Sequence, residues 1–295
     1  MSSAMQTERA VAIIGTGNMG GGMARNLLAH GFSVHVRDID PRKTQALQAL
    51  GAQVHDSPVT LAAAAPLLIV CVVTADEVQD VLFGAQGAVS ALKAGQTVML
   101  CPTIAPHDVE RFAQHLSPLG VHTIDAPMSG GPARATEGTM SLMVACPDAV
   151  LAQHAQVLNV LSNQLFRISE RVGDGARTKL VNNLLAGINL VGAAEALALA
   201  ERLGLSAQTT LDVIGKSSGQ SWVGMDRMQR ALKNDFEPLA HMTLLTKDTR
   251  LACEAAAAVG FEGPLGRTAS SVFAQACEAG MSDLDDGALL QLLRR

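Results

Sequence analysis

The sequence predicts an α/β domain built on a doubly wound parallel sheet, then an all-helical domain, with one long helix joining the two. Three observations lead there. Short apolar runs at 11–14, 33–37, 67–73, 97–101 and 121–125 alternate with helical patterns, as stacked βαβ units require. From Gly175 onward the alternation gives way to Ala/Leu-rich helical segments broken at Gly204, Gly219 and Gly263-Pro264, with no convincing strand. Finally, 295 residues, 48% hydrophobic and 17% charged, suffice for about two domains of ~150 residues, each with its own core. The expected domains are residues 1–171 and 172–295.

Taken in order, the run 11–14 opens the sheet. The stretch behind it keeps Met23, Leu27 and Leu28 at helical spacing up to His30, and Gly31 ends it as a left-handed cap. The strand 33–37 precedes a helix from Pro41, and 67–73 precedes another helical stretch. The run 97–101 leads to a helix from about Pro106 and then to 121–125. A helix from about Ala176 to Leu203 would run ~28 residues and roughly 42 Å. Its part 184–200 is apolar, but Asn189, Gly192 and Glu195 interrupt it, which reads as a buried helix. The other apolar runs fall far short of the ~18 residues of a membrane span.

Composition removes several functions. Lys+Arg number 22 against 27 Asp+Glu, a net charge of −5, so no basic stripe awaits a phosphate backbone and nucleic acid is not an expected partner. Five scattered cysteines form no C-x-x-C pair, and the polar segment 1–8 lacks the order of a signal peptide. Both point to a reducing, cytoplasmic setting. Eight histidines include no H-E-x-x-H and no Cys/His cluster, so no metal is expected.

Gly15-Thr16-Gly17-Asn18-Met19-Gly20 matches G-x-G-x-x-G. In a chain with 27 glycines the pattern alone is weak, but here it follows a strand and opens a helix. That is the Rossmann context. Gly15 makes the tight turn, Gly17 lets the backbone approach a pyrophosphate, and Gly20 lets helix and strand pack closely. The N–H groups at the helix start meet the phosphates. Asp38 ends the second strand, about 20 residues on, where a carboxylate hydrogen-bonds the adenosine ribose. No arginine stands next to it, so NAD is expected ahead of NADP; Arg42 and Lys43 keep NADP as the alternative. Val73, closing the run 67–73, is a further cofactor-side candidate. The plain alternatives are a tight βα turn and a solvent-facing acid.

Asp125-Ala126-Pro127-Met128-Ser129-Gly130-Gly131-Pro132 begins at the carboxyl end of a strand, the edge at which open α/β sheets bind ligands. Ser129 offers a hydroxyl, and Gly130 and Gly131 let backbone N–H groups converge on an anion. A substrate carboxylate fits there without an arginine; a Pro/Gly turn between domains is the alternative. The stretch GDGARTKLVNN (173–183) opens the long helix. Lys179 and Asn183 are four apart and share a face. The helix dipole and partial burial both favour a neutral lysine, the form that accepts a proton. An exposed lysine in a capping turn is the alternative.

The blocks IIGTGNMGGGMARNLLAHG (13–31), DAPMSGGPARATEGTMSLMVA (125–145), GDGARTKLVNN (173–183) and Lys247-Asp248 together resemble the β-hydroxyacid dehydrogenase family, which includes 3-hydroxyisobutyrate dehydrogenase and tartronate semialdehyde reductase. The resemblance spans nearly the whole chain. It implies a Rossmann domain, a helical domain, and dimers or tetramers built on the helical half. It also implies hydride transfer between NAD(P) and a small β-hydroxyacid such as 3-hydroxyisobutyrate, glycerate or a C4 sugar acid. Under it, Ser129, Gly130 and Gly131 bind the substrate carboxylate and Lys179 is the general acid/base. Asn183 hydrogen-bonds the substrate, with Asn182 as the register alternative. Thr103 lies beside the nicotinamide, Lys247 is the cofactor-side lysine, and Asp248 is a structural partner. The chain departs from the family's pattern at Cys101-Pro102 and Ala145-Cys146.

Ser218-Gly219-Gln220-Ser221-Trp222 and Asp226-Arg227 resemble the sugar-acid branch of that family. Ser221, Gln220 and the Trp222 indole would supply the extra hydrogen bonds of a polyhydroxy acid. The alternative makes Trp222 the main core aromatic of the helical domain. Two competing functions remain: a catalytically inactive dinucleotide-binding scaffold and an imine reductase on the same architecture. Both are marked by loss of the lysine, and here Lys179 is present.

Overall fold

The computed structural model describes residues 9–294; the polar segment 1–8 lies outside the described residues. The chain divides into two compact units, Met1–Lys179 and Leu180–Arg295, so the division falls within the long helix Asp174–Arg202.

Among the described residues the first unit holds a nine-stranded sheet. Its strands are β1 (Ala10–Ile14), β2 (Ser33–Arg37), β3 (Gln53–Val54), β4 (Leu67–Val70), β5 (Thr97–Leu100), β6 (His122–Asp125), β7 (Met128–Ser129), β8 (Met140–Ala145) and β9 (Ser162–Ser169). They run in the order β3-β2-β1-β4-β5-β6-β8-β7, with β9 on β8. The pairings from β3 through β6 are all parallel. The order reverses at β1, between β2 and β4, which is the switch point where such sheets bind ligands. Every residue of β1, β4 and β5 is buried. A strand covered on both faces reads as a continuous apolar run, without alternation. The period of two still sorts its side chains: Val11 and Ile13 join one core, while Ala12 and Ile14 join the other.

The expected strands are present, with 67–73 ending at Val70 and 97–101 at Leu100. Gly31 takes φ +78 behind the helix Asn18–Ala29, α1 here, as a left-handed cap does. The strands β3, β7, β8 and β9 are additions to the expected set. Two of them are only two residues long, and β8 joins through antiparallel pairs to β6 and β7, outside the βαβ rhythm.

In the second unit, the later part of Asp174–Arg202 contributes Leu190, Val191, Ala194 and Leu197 to a core shared with Met228, Met242, Phe273 and Leu289. The expected burial of the segment 184–200 holds for one face only: Leu190, Val191, Ala194, Leu197 and Ala198 are buried in this core, while Leu185 and Leu199 are exposed. Phe273 is fully buried in this core, whereas Trp222 is 58% exposed. The reading of Trp222 as the main core aromatic is therefore overturned: it opens the helix Trp222–Ala231 from the surface.

Candidate active site

β1 delivers Gly15 at φ +87, its N–H donating to the Arg37 carbonyl of β2 at 2.9 Å. A Cβ there would stand 2.4 Å from the Cys71 carbonyl oxygen, and one at Gly20 would stand 1.9 Å from the Gly15 carbonyl oxygen. Only glycine fits either place. Gly17 differs. No atom lies within 4 Å of where its Cβ would be, and it is the N-cap of α1, a helix without a side-chain cap. An open backbone approach to uncapped first-turn N–H groups suits a pyrophosphate. Beside it runs a cleft of about 280 Å³ lined by Thr16, Gly17, Asn18, Arg25, Lys43 and Thr136, among others.

Asp38 stitches this loop to the end of β2. Its Oδ2 accepts from the Thr16 N–H at 2.6 Å and the Thr16 hydroxyl at 3.2 Å, and its Oδ1 accepts from the Asp40 N–H at 2.9 Å. A carboxylate has about four acceptor positions, so one remains for a ribose hydroxyl. Arg42 is turned onto Asp40, its Nε at 3.0 Å and Nη2 at 2.8 Å. Ile39, next to Asp38, is 92% exposed. Val73 follows β4, its N–H held by Glu77 Oε2 at 2.6 Å, and Thr103 follows β5. Gly15–Gly20, Asp38, Val73 and Thr103 thus all follow the carboxyl ends of parallel strands, along one edge of the sheet.

Farther along that edge, Ser129 is half-buried in β7 opposite Ser141. Gly130 and Gly131 take φ +131 and +75, both in the region that favours glycine. Lys179 and Asn183 are both buried, while Asn182 is exposed. The geometry thus keeps Asn183 on the Lys179 face and turns Asn182 away.

In the second unit Asp248 links two of the expected residues. Asn183 Nδ2 donates to Asp248 Oδ2 at 2.6 Å and Lys247 Nζ to Asp248 Oδ1 at 2.7 Å. Asn182 Nδ2 donates to Asn183 Oδ1 at 3.0 Å. The Asn183 amide keeps one N–H and one lone pair for other partners. Residues 218–220 are exposed, and the Ser221 hydroxyl caps the helix Trp222–Ala231 by accepting from the Gly224 N–H at 3.2 Å. Arg227 is committed inside the fold, its Nε on Asp286 Oδ1 at 2.5 Å and its Nη1 on Asp226. Among the described residues no group of three or more His, Cys, Asp or Glu side chains could hold a metal ion.

Sequence reasoning passed over one acid of this edge, the Asp125 side chain. Burial pushes its carboxyl up to about 6, against the backbone N–H groups of Ala176, Gly173 and Gly175 that pull it down. The available signal was an acid closing an otherwise apolar strand.

Residues 10–169 match the family described as the NAD binding domain of 6-phosphogluconate dehydrogenase. Residues 173–293 match that of NADP-dependent 3-hydroxyisobutyrate dehydrogenase. The L-threonate dehydrogenase of Cupriavidus necator is 34% identical over 96% of each chain. The mitochondrial 3-hydroxyisobutyrate dehydrogenase of Homo sapiens is 30% identical over 99% of this chain and 89% of its own. A crystal structure of 3-hydroxyisobutyrate dehydrogenase from Salmonella typhimurium superposes with a TM-score of 0.90 at 34% identity, covering 96% of this chain and 99% of the other. The chain belongs to the β-hydroxyacid dehydrogenase family. It is an NAD(P)-dependent oxidoreductase acting on the CH–OH group of a small hydroxyacid.

Proposed function

We propose that this enzyme oxidises a short polyhydroxy acid of the L-threonate class with NAD, using Lys179 as general acid/base. The observation that carries the mechanism is a buried lysine, Lys179, one turn before a buried asparagine, Asn183, on the same helix. When bound, the nicotinamide supplies hydride acceptance and return. The Ser129 hydroxyl and the N–H groups of Gly130 and Gly131 hold the substrate carboxylate. Lys179 takes the proton of the reacting hydroxyl during oxidation and returns it during reduction, from within hydrogen-bond reach. Asn183 orients the reacting oxygen with the N–H that Asp248 leaves over. Val73, Thr103 and Lys247 attend the cofactor side.

The likeness to L-threonate dehydrogenase supports the substrate class, as does the exposed Trp222 with Gln220 and Ser221 beside it. A 2′-phosphate would meet Asp38 and Asp40 with like charge, and Arg42 is already engaged by Asp40; both support NAD over NADP. Exposed Val181, Leu185, Leu199, Val259 and Phe261 in the helical unit support a dimer or tetramer built there. Five free cysteines support a reducing, cytoplasmic setting.

The test is a screen of L-threonate, glycerate and 3-hydroxyisobutyrate for reduction of NAD and NADP. L-threonate with NAD is expected to have the highest kcat/KM; preference for 3-hydroxyisobutyrate would overturn the substrate, and preference for NADP the cofactor. Lys179→Ala is expected to lower kcat by ~10²–10⁴-fold with NAD affinity unchanged. A folded Lys179→Ala variant that binds NAD and keeps wild-type kcat would remove the acid/base role.

A further inference from the structure

We propose that Asp125 is a positioning residue: its buried carboxylate holds the first turn of the Lys179 helix against the strand end that leads into Ser129–Gly131. The proposal rests on Lys179 being the proton-transfer group.

Asp125 is the last residue of β6 and is 1% exposed. Its Oδ2 accepts from the Gly173 N–H at 2.9 Å and the Ala176 N–H at 3.0 Å, and the nearby Gly175 N–H also favours the ionised carboxylate. A helix begins with N–H groups that have no partner inside the helix. Here the neighbouring ones are accounted for: Asp174 N–H donates to the Arg171 carbonyl at 3.2 Å and Arg177 N–H to the Gly173 carbonyl at 3.0 Å. The groups left over converge on Asp125. Contact is close, since a Cβ at Gly175 would lie 2.9 Å from Asp125 Cγ and 2.7 Å from the Met143 carbonyl oxygen. Three residues after Asp125 the chain enters β7 and Ser129, and five after Asp174 the helix presents Lys179. One carboxylate therefore sets the spacing between the Ser129 loop and Lys179.

A plain structural clamp would not need the charge. Among the described residues no salt bridge to Asp125 is found, and the titratable groups that interact with it include Asp174, Cys101 and Cys146. Its carboxyl is raised by burial to about 6 from an ordinary value of 3.8. The stability this group contributes is therefore full below about 3.8 and lost as pH rises through about 6. At neutral pH the ionised side chain burdens the fold. In return, a full negative charge at the helix start binds the converging N–H groups more tightly than a neutral side chain does. A shift of ~1 Å in a catalytic group can cost ~10²-fold in rate, which is the scale on which such tightness matters.

The experiment compares Asp125→Asn, Gly175→Ala and Lys179→Ala with wild type, using NAD and the best acid of the screen, L-threonate first. Asp125→Asn is expected to lower kcat by ~10–100-fold while Tm at pH 7 is kept or raised and NAD affinity is unchanged. Wild-type kcat is expected to carry a component that falls as Asp125 is protonated below about pH 6, and that component should be missing from the variant while the fall due to protonation of Lys179 remains. Gly175→Ala, which pushes the helix off the acid without touching its charge, should lose kcat in parallel. An Asp125→Asn variant with wild-type kcat, beside an inactive Lys179→Ala, would overturn the proposal. So would a kcat loss in Asp125→Asn matched by a fall in its Tm, the mark of a merely structural role. A Lys179→Ala variant with wild-type kcat would instead overturn the acid/base reading itself.

Discussion

Each half of the molecule buries acid, and the two halves answer it differently. In the α/β unit Asp125 meets only backbone N–H groups. In the helical unit Asp285 and Asp286 meet arginines. Arg227 Nε lies 2.5 Å from Asp286 Oδ1 and 3.6 Å from Asp285 Oδ1, and Arg230 Nη1 lies 2.8 Å from Asp285 Oδ2. Asp285 Oδ2 also accepts the Leu239 N–H at 3.0 Å. This cluster ties the helix Trp222–Ala231 to the segment 285–287. Asp285 and Asp286 are answered by cations and Asp125 by backbone N–H groups.

Arg227→Ala would break that contrast most strongly. Removing one partner of a buried ion pair costs about 3–5 kcal/mol, and urea unfolding at pH 8 should show it. Burial pushes the Asp286 carboxyl up to about 7, with Asp285 beside it opposing its ionisation and Arg227 favouring it. A raised acid stabilises when protonated, and that contribution is lost as pH rises through about 7. The deficit should therefore shrink at pH 5. An equal deficit at both pH values would mean that Asp286 carries no unpaired charge in the variant.

The glycine loop sharpens the comparison by separating fold from binding within one motif. Gly15→Ala forces a side chain at φ +87 against the Cys71 carbonyl, and strain alone costs about 1–3 kcal/mol, so Tm should fall. Gly17→Ala meets nothing within 4 Å and should leave stability within about 0.5 kcal/mol. A fluorescence titration should nonetheless give weaker NAD binding, because the new methyl occupies the approach to the helix N-terminus. Unchanged affinity would remove Gly17 from the cofactor site.

The smallest effects belong to the asparagines. Asn183→Ala should lower kcat/KM by roughly five-fold or more, the worth of about 1 kcal/mol of hydrogen bonding, and Asn182→Ala by less. The reverse order in steady-state kinetics would return the role to Asn182.

What the sequence by itself determined is local. The alternation of apolar runs and helical stretches, the left-handed turns at Gly15 and Gly31, and the change to helices past residue 171 all rest on periods of 2 and 3.6 and on φ preferences that operate within a few residues. The sheet from β1 to β6 and the helical second unit were legible for that reason. The Lys179–Asn183 spacing was legible too, since i and i+4 share a helix face in any context. Tertiary structure decided which groups meet across the chain. It brought Asp125 to Gly173, 48 residues away, and Arg227 to Asp286, 59 away. It buried Asn183 and exposed Asn182, sent Phe273 into the core and left Trp222 outside, and added β8 antiparallel to β6, with β9 parallel beside it. A buried carboxylate can be answered by an arginine or by backbone N–H groups alone, and nothing within its own few residues says which. Only packing, which settles how much water and which donors surround it, makes that choice.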